Sequence, residues 1–330
     1  MLLPAASRRT PEALVMPETE PSVFTFPTMR NLSKEERKSV THGEFWIPEA
    51  EREVYKRGLN ALNAAGVPVV VAGAYAIYEH TGIIRQTKDL DLFCTPEVVL
   101  QAMQVLRDAG FITRLEQTHW IGKAISRDNR DHFIDIIYGM GNGLALIDDD
   151  WFRHSSPAIL AATQVRVAPP EELIWHRLFI HERHRHDMAD IAHLILCKGH
   201  LMDWPRLVAK TGENWPLLLS QLLMFRYVYP GYRDQVPREI LRELLDRAES
   251  SAAEGPAVGA DHDLTRGTLI SRFSFAIDVN EWGFHDLRDE KIKAMQAHPS
   301  VVGLADSNVW DEKADHITDQ SAVPETVDFD

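Results

Sequence analysis

Between Gly73 and Phe93 the chain reads GAYAIYEHTGIIRQTKDLDLF, and its last residues alternate two carboxylates with two leucines. Residues two apart on a β-strand point to the same face. A strand here therefore projects Asp89 and Asp91 together and turns Leu90 and Leu92 into a core. Two adjacent carboxylates repel each other and are costly to desolvate. A divalent cation relieves both effects. Oxygen ligands beside a phosphate-sized space suit Mg²⁺, which takes few protein ligands and keeps several waters.

A third acid, Asp135, falls in the middle of HFIDIIY, among Phe133, Ile134, Ile136 and Ile137. An Asp in such a run is either a costly defect or a ligand. A strand carrying Asp135 beside the strand of Asp89 and Asp91 would gather all three. Three carboxylates around two Mg²⁺ ions suit displacement at phosphorus, one ion activating an acceptor hydroxyl and the other holding a triphosphate. Mn²⁺ is an alternative metal. Gly73, upstream, lets the backbone approach phosphates with no Cβ in the way. The helix that starts behind it offers N–H groups to an anion.

The rest of the chain bounds this reading. With 330 residues, 45% of them hydrophobic, it can bury the core of two domains or one large one. A formal charge of −14 argues against tight, non-specific binding to extended nucleic acid, while a local basic pocket remains compatible with it. The two cysteines, Cys94 and Cys197, lack zinc spacing and fit a reduced, cytoplasmic setting. The N-terminus has no continuous apolar stretch and no run of 18 apolar residues occurs, so neither a signal peptide nor a membrane helix is expected.

Periodicity and punctuation predict a helix from about residue 48 to Gly66, a buried strand in VPVVVAG, and a helix AYAIYEHTG stopped by Gly82. The DLDLF strand comes next, then a helix with Thr95 as N-cap and Gly110 at its end. FITRLEQT, WIGKAIS, HFIDIIY and TQVRVA read as strands. Residues 171–199 read as one long helix, with two or three more helices behind it. The fold class expected is α+β, a mixed β-sheet flanked by helices and followed by an α-helical domain. The boundaries expected are a mobile arm over 1–42, a catalytic domain over 43–168, a helical domain over 169–250, and over 251–330 a linker, a docked aromatic segment and an acidic tail.

The set Gly73-Ala74, Asp89-Leu90-Asp91 and Asp135 resembles the nucleotidyltransferase superfamily, the group with the DNA polymerase β-like core. The run RQTKDLDLF is similar to that of small bacterial nucleotidyltransferases, among them uncharacterised, AbiE-type and antibiotic-modifying members. Their later basic residue and acidic run match Arg177, Arg185, Asp187 and Asp190, so the resemblance covers roughly residues 50–250. It implies Mg²⁺-dependent transfer of NMP from an NTP to a hydroxyl, with release of pyrophosphate. It places the metals and the chemistry on Asp89, Asp91 and Asp135. It places the nucleotide on Gly73, Ala74, Arg85, Thr87, Lys88, Arg177 and Asp187. The acceptor stays open between a small molecule, a protein side chain and an RNA end, and a protein partner is compatible. Two residues depart from the family pattern. Ala74 replaces the usual second Gly or Ser, and Arg177 stands where relatives often carry Lys, exchanging a point charge for a planar fork.

Rival readings attach to the same residues. The chain could be a weak or inactive member, binding nucleotide as a sensor or acting as a toxin–antitoxin partner, or an interaction protein using its helical half. Arg183, Asp187 and Asp190, spaced along one face of the expected helix, make either a salt bridge or a cover for the nucleotide. His181, His184 and His186 beside Asp187 suggest a metal cluster, a solvated His/Arg face, or a face that contacts the triphosphate. GMGNG at 139–143 reads as a flexible turn after the Asp135 strand, and the acidic run at 148–150 as the cap of a helix at Trp151.

Overall fold

Gly82 ends a short helix in the left-handed conformation, with φ +72° and its N–H bonded to the Tyr78 carbonyl, as its place in the sequence requires. The structure is a computed structural model and describes residues 47–85, 87, 89–183, 185–255 and 262–313. The expected N-terminal arm, Lys88, His184 and the acidic end of the chain lie outside the described residues.

The first half alternates helices and strands. Helix α1 (Glu49–Ala64) leads to the two-residue strand β1 (Val70–Val71), α2 (Gly73–Thr81), β2 (Asp89–Phe93) and α3 (Val99–Asp108). Then come β3 (Phe111–Gln117), β4 (Ile121–Ser126), β5 (Phe133–Ile137) and a single turn, α4 (Asp150–Arg153). The hairpin β6 (Ser156–Leu160) and β7 (Thr163–Val167) closes this half. The strands form one mixed sheet in the order β3-β4-β5-β2-β1-β7-β6. The β2–β5 pair is parallel, and β5–β4 and β2–β1 are antiparallel. Alternation along β2 and β5 sends Leu90, Leu92, Ile134 and Ile136, all fully buried, to one face. The carboxylates are left on the other.

Two local expectations need correction. Thr95 does stand at the N-cap, of a 3₁₀ turn, Pro96–Val98, that runs into α3, but its side chain makes no capping hydrogen bond. Strand β6 was not foreseen. Its hairpin turns through Ala161 and Ala162, both with positive φ (50° and 57°), where such a turn ordinarily carries Asn or Gly as its sequence signal.

The second half is helical: α5 (Pro170–Arg177), α6 (Met188–Lys198), α7 (Trp204–Thr211), α8 (Trp215–Val228) and α9 (Arg238–Ala252). The long helix expected over 171–199 is broken. A continuous helix would put Arg177 and Asp187 about 15 Å apart along its axis. Instead the chain leaves the helix after Arg177 and returns on itself. His181 and His186 pair across an antiparallel bridge, and the Asp187 N–H bonds the Ile180 carbonyl at 3.2 Å. Asp187 thus reaches the Arg177 guanidinium at 3.7 Å and starts α6. Arg183, Asp187 and Asp190 accordingly share no helix face. Tertiary contacts, this ion pair among them, accompany the break in a run of good helix formers.

Beyond α9 the chain packs back on the molecule through residue 310, with Phe273, Trp282 and Phe284 of the aromatic segment left exposed. Leu264–Thr265 (β8) pairs in parallel with His285–Asp286 (β9), with a short helix, α10 (Ala276–Asn280), between them. Helix α11 (Leu287–Gln296) comes next, and Val301, Leu304, Val309 and Trp310 are buried beyond it. Asp311 accepts from the Thr113 N–H on β3 at 3.0 Å.

Candidate active site

Register puts the charged residues in one row across the sheet. Asp91 on β2 faces Asp135 on β5, and Asp135 faces Lys123 on β4. The next row toward the strand ends is Phe93, Ile137 and Ile121, all apolar. Carboxylate oxygens of Asp89, Asp91 and Asp135 lie within 4.8 Å of one another. Among the described residues this is the one group of three acids, histidines or cysteines close enough to share an ion. His181 and His186 stack edge to face, with ring centroids 4.6 Å apart, and belong to no such group.

Like charge and burial strain the triad. Burial, then the Asp89 and Asp135 charges, push the Asp91 carboxyl up to about 7, against the pull of Arg177 and Arg185. Burial raises Asp135 to about 6, with Lys123 opposing it. The Lys123 ammonium sits 3.2 Å from Asp135 Oδ1 and 3.6 Å from the centre of the Phe133 ring. This ion pair is what that buried oxygen has within the protein. Three carboxylates crowded within 4.8 Å, with a single lysine against one of them, are a donor set that fits a hard divalent cation.

Gly73 is shaped by this cluster. It opens α2 with φ +57°, and a Cβ built there would sit 1.8 Å from Asp91 Oδ2. The neighbouring Ala72 N–H bonds the Asp91 carbonyl at 2.9 Å, tying the turn to β2. The first N–H groups of a helix, here those of Gly73 and Ala74, have no intrahelical acceptor.

A cavity of about 580 Å³ covers the triad. Every nucleotide or metal residue foreseen in the sequence lines it, namely Gly73, Ala74, Arg85, Thr87, Asp89, Asp91, Asp135, Arg177 and Asp187, save Lys88, which is outside the described residues. Their partners refine the expectation. Arg85 pairs with Asp190 and Thr87 donates to Asp89. Arg177, only 6% exposed, is held by Asp190 at 3.3 Å and by Asp187. Arg185, on the irregular segment, is held by both oxygens of Asp187 at 3.3 Å. Asp187 therefore engages two arginines rather than open space.

Lys123 and part of the cavity lining were missed in the sequence. Trp120, Ile121, Ile137 and Met140, with His176 and Phe179 from beside Arg177, also line the cavity. Lys123 could have been found only by aligning WIGKAIS against HFIDIIY, which fixes the register. His176 lies edge-on to Phe93, with centroids 5.5 Å apart, and burial, then the Arg177 and Arg185 charges, push its pKa down to about 3. It is neutral in the folded state near neutrality. The unfolded chain takes up a proton near 6.5, so stability is full above that value and falls as pH drops toward 3. At pH 5 the loss is at most about 2 kcal/mol. Urea unfolding at pH 7.5 and 5 should show a shallower decline for His176→Gln than for the wild type.

The sequence of residues 53–228 matches the family model described as "Uncharacterised nucleotidyltransferase". The chain belongs to this nucleotidyltransferase family. The match runs from α1 through the sheet to α8, over more than half of the protein. No curated protein matches the sequence. Among solved structures, the nucleotidyltransferase is similar to the antibiotic-resistance factor ANT(2'')-Ia, with 16% identity, a TM-score of 0.37, and coverage of 52% of this chain and 96% of the other. It is also similar to the lincosamide antibiotic adenylyltransferase LnuA, at 16% identity and TM-score 0.32, covering 45% and 96%. For JHP933 from Helicobacter pylori the values are 16% and 0.34, with coverage of 63% and 99%. Likeness at these scores carries nothing about substrate. No helix among the described residues is long and apolar enough to cross a membrane.

Proposed function

We propose that this nucleotidyltransferase moves a nucleoside monophosphate from an NTP to a hydroxyl acceptor and releases pyrophosphate. The observation that carries the reading is the Asp89/Asp91/Asp135 cluster packed against the Gly73 turn. Asp89, Asp91 and Asp135 would hold Mg²⁺, or Mn²⁺ in its place. A divalent ion there supplies charge neutralisation for the triphosphate and acidifies the acceptor hydroxyl.

The chain's own groups do the rest. The Gly73 and Ala74 amides, at the positive end of α2, take phosphate oxygens. Arg85 and Arg185 neutralise the triphosphate from the opposite side, and Arg177 and Asp187 hold Arg185 and α6 in place. Asp135 orients the acceptor hydroxyl and accepts its proton. Asp135 lies on the β5 side of Asp91, away from β1 and Gly73. The acceptor therefore enters from the β4–β5 side, against Trp120, Ile121, Ile137 and Met140. This bank suits an acceptor with an apolar surface.

Incubating purified protein with α-labelled NTPs, Mg²⁺ and a cell lysate tests the reading. The wild type should label one size class of product and Asp89→Ala none. The size class names the acceptor as small molecule, protein or RNA. Nucleotide binding without any labelled product would make the chain a sensor and overturn the transfer.

A further inference from the structure

Residues 264–288 lie beyond the stretch matched by the family model, which ends at 228, and yet they touch both lips of the cavity. On the nucleotide side, the Ile270 carbonyl accepts from the His181 N–H at 2.9 Å. The Glu182 carboxylate accepts from the Ser271 hydroxyl and the Arg272 N–H, both at 2.7 Å. Glu182 is three residues before Arg185, on the irregular segment between α5 and α6. On the acceptor side, Asn142 Nδ2 donates to the Leu269 carbonyl at 3.0 Å, and Arg288 donates to the Gly141 carbonyl at 3.2 Å. Gly141 and Asn142 both line the cavity. A Cβ on Gly143 would lie 2.5 Å from the Ile292 N atom, so this loop is pressed against α11 itself.

The segment is also tied to α11. Asp286 caps that helix through the Arg288 N–H and accepts from Thr268. Thr268 and Ser271 are buried. Consecutive residues 269–272 thus bond the two lips from a single anchored base.

We propose that residues 267–272 are a strap fixing the nucleotide-side segment 180–187 and the acceptor-side loop 139–143 relative to each other, with Glu182 and Asn142 its fastenings. These two are positioning residues, Glu182 acting through Arg185 and Asn142 through the loop that bounds the acceptor. The strap makes a segment outside the family match part of the binding machinery. The assignment of sides rests on the proposed function, but the mechanical coupling does not.

Hydrogen exchange on the ligand-free protein separates the two. In Glu182→Ala, amide exchange should rise in 180–187 and also in 139–143, which Glu182 does not touch, while β2 and β5 stay protected. Asn142→Asp, which removes the donor to Leu269, should loosen 180–187 in return. Losing the charged bonds from Glu182 should raise KM for the NTP about 10-fold, with kcat changed far less. Loosening confined to the mutated side in both variants would overturn the strap. So would no loosening at all. Should one variant fail to fold, Ser271→Ala removes a single strap bond and is read the same way. Coupled exchange without NTP binding would leave the strap intact and sink the proposed function instead.

Discussion

Replacing Gly73 with alanine should lower nucleotidyl transfer by at least about 100-fold, the scale of a 1 Å misplacement at a reacting centre. The added Cβ would stand 1.8 Å from Asp91 Oδ2, and φ at this position is +57°. The left-handed backbone alone costs an alanine about 1–2 kcal/mol, which a chain of this size can absorb. The clash cannot be absorbed in place. Either Asp91 turns away from Asp89 and Asp135, or the first turn of α2 withdraws from the phosphates. Both outcomes break the donor site while the core behind Leu90 and Leu92 stays packed. Ala74→Gly, one residue on, is the control and should retain activity. Turnover measured as pyrophosphate release, alongside circular dichroism, checks both variants. An active Gly73→Ala would mean that the glycine has no catalytic consequence.

Replacing Arg177 with methionine should destabilise the protein by about 3 kcal/mol, the low end of the cost of breaking a buried ion pair, because each carboxylate keeps one more exposed arginine. Asp187 and Asp190 are 7% and 4% exposed, and Arg177 lies between them. Arg185 and Arg85 retain one carboxylate each, but both are far more exposed than Arg177. The fold of 178–187 depends on this pairing, so NTP affinity should fall together with stability. Arg177→Lys, keeping the charge but losing the fork, should lie between the two. Urea unfolding and nucleotide titration measure the two losses. A neutral Arg177→Met would mean that the break in the helix has another cause.

The triad was legible because two independent signals fixed it. Alternation in DLDLF sets the face of Asp89 and Asp91, and an Asp inside FIDII needs a partner to be tolerated. The parallel register of β2 with β5 brings the three together. The helices after residue 200 were legible from apolar periodicity and from caps such as Asp203, which accepts from the Arg206 N–H. The break after Arg177 was not, since HERHRHDMADI carries no Gly or Pro and the turn is accompanied by an ion pair between distant atoms. Strand β6 was hidden by an alanine turn. The strap was hidden because main-chain groups of Leu269, Ile270 and Arg272 make most of its contacts, and backbone bonding leaves no side-chain signature in the sequence.

The central claim is that the three aspartates form a divalent-cation site for nucleotide. Mn²⁺ binding followed by electron paramagnetic resonance, with a non-hydrolysable NTP present, tests it most directly. Asp91→Asn is the variant of choice. Burial and its neighbours already raise the Asp91 carboxyl to about 7, so a neutral isostere relieves repulsion and should stay folded. The wild type should bind Mn²⁺ with the nucleotide, and Asp91→Asn should bind it at least about 10-fold more weakly, a difference of about 1.4 kcal/mol. Equal Mn²⁺ binding by the two proteins would contradict the account.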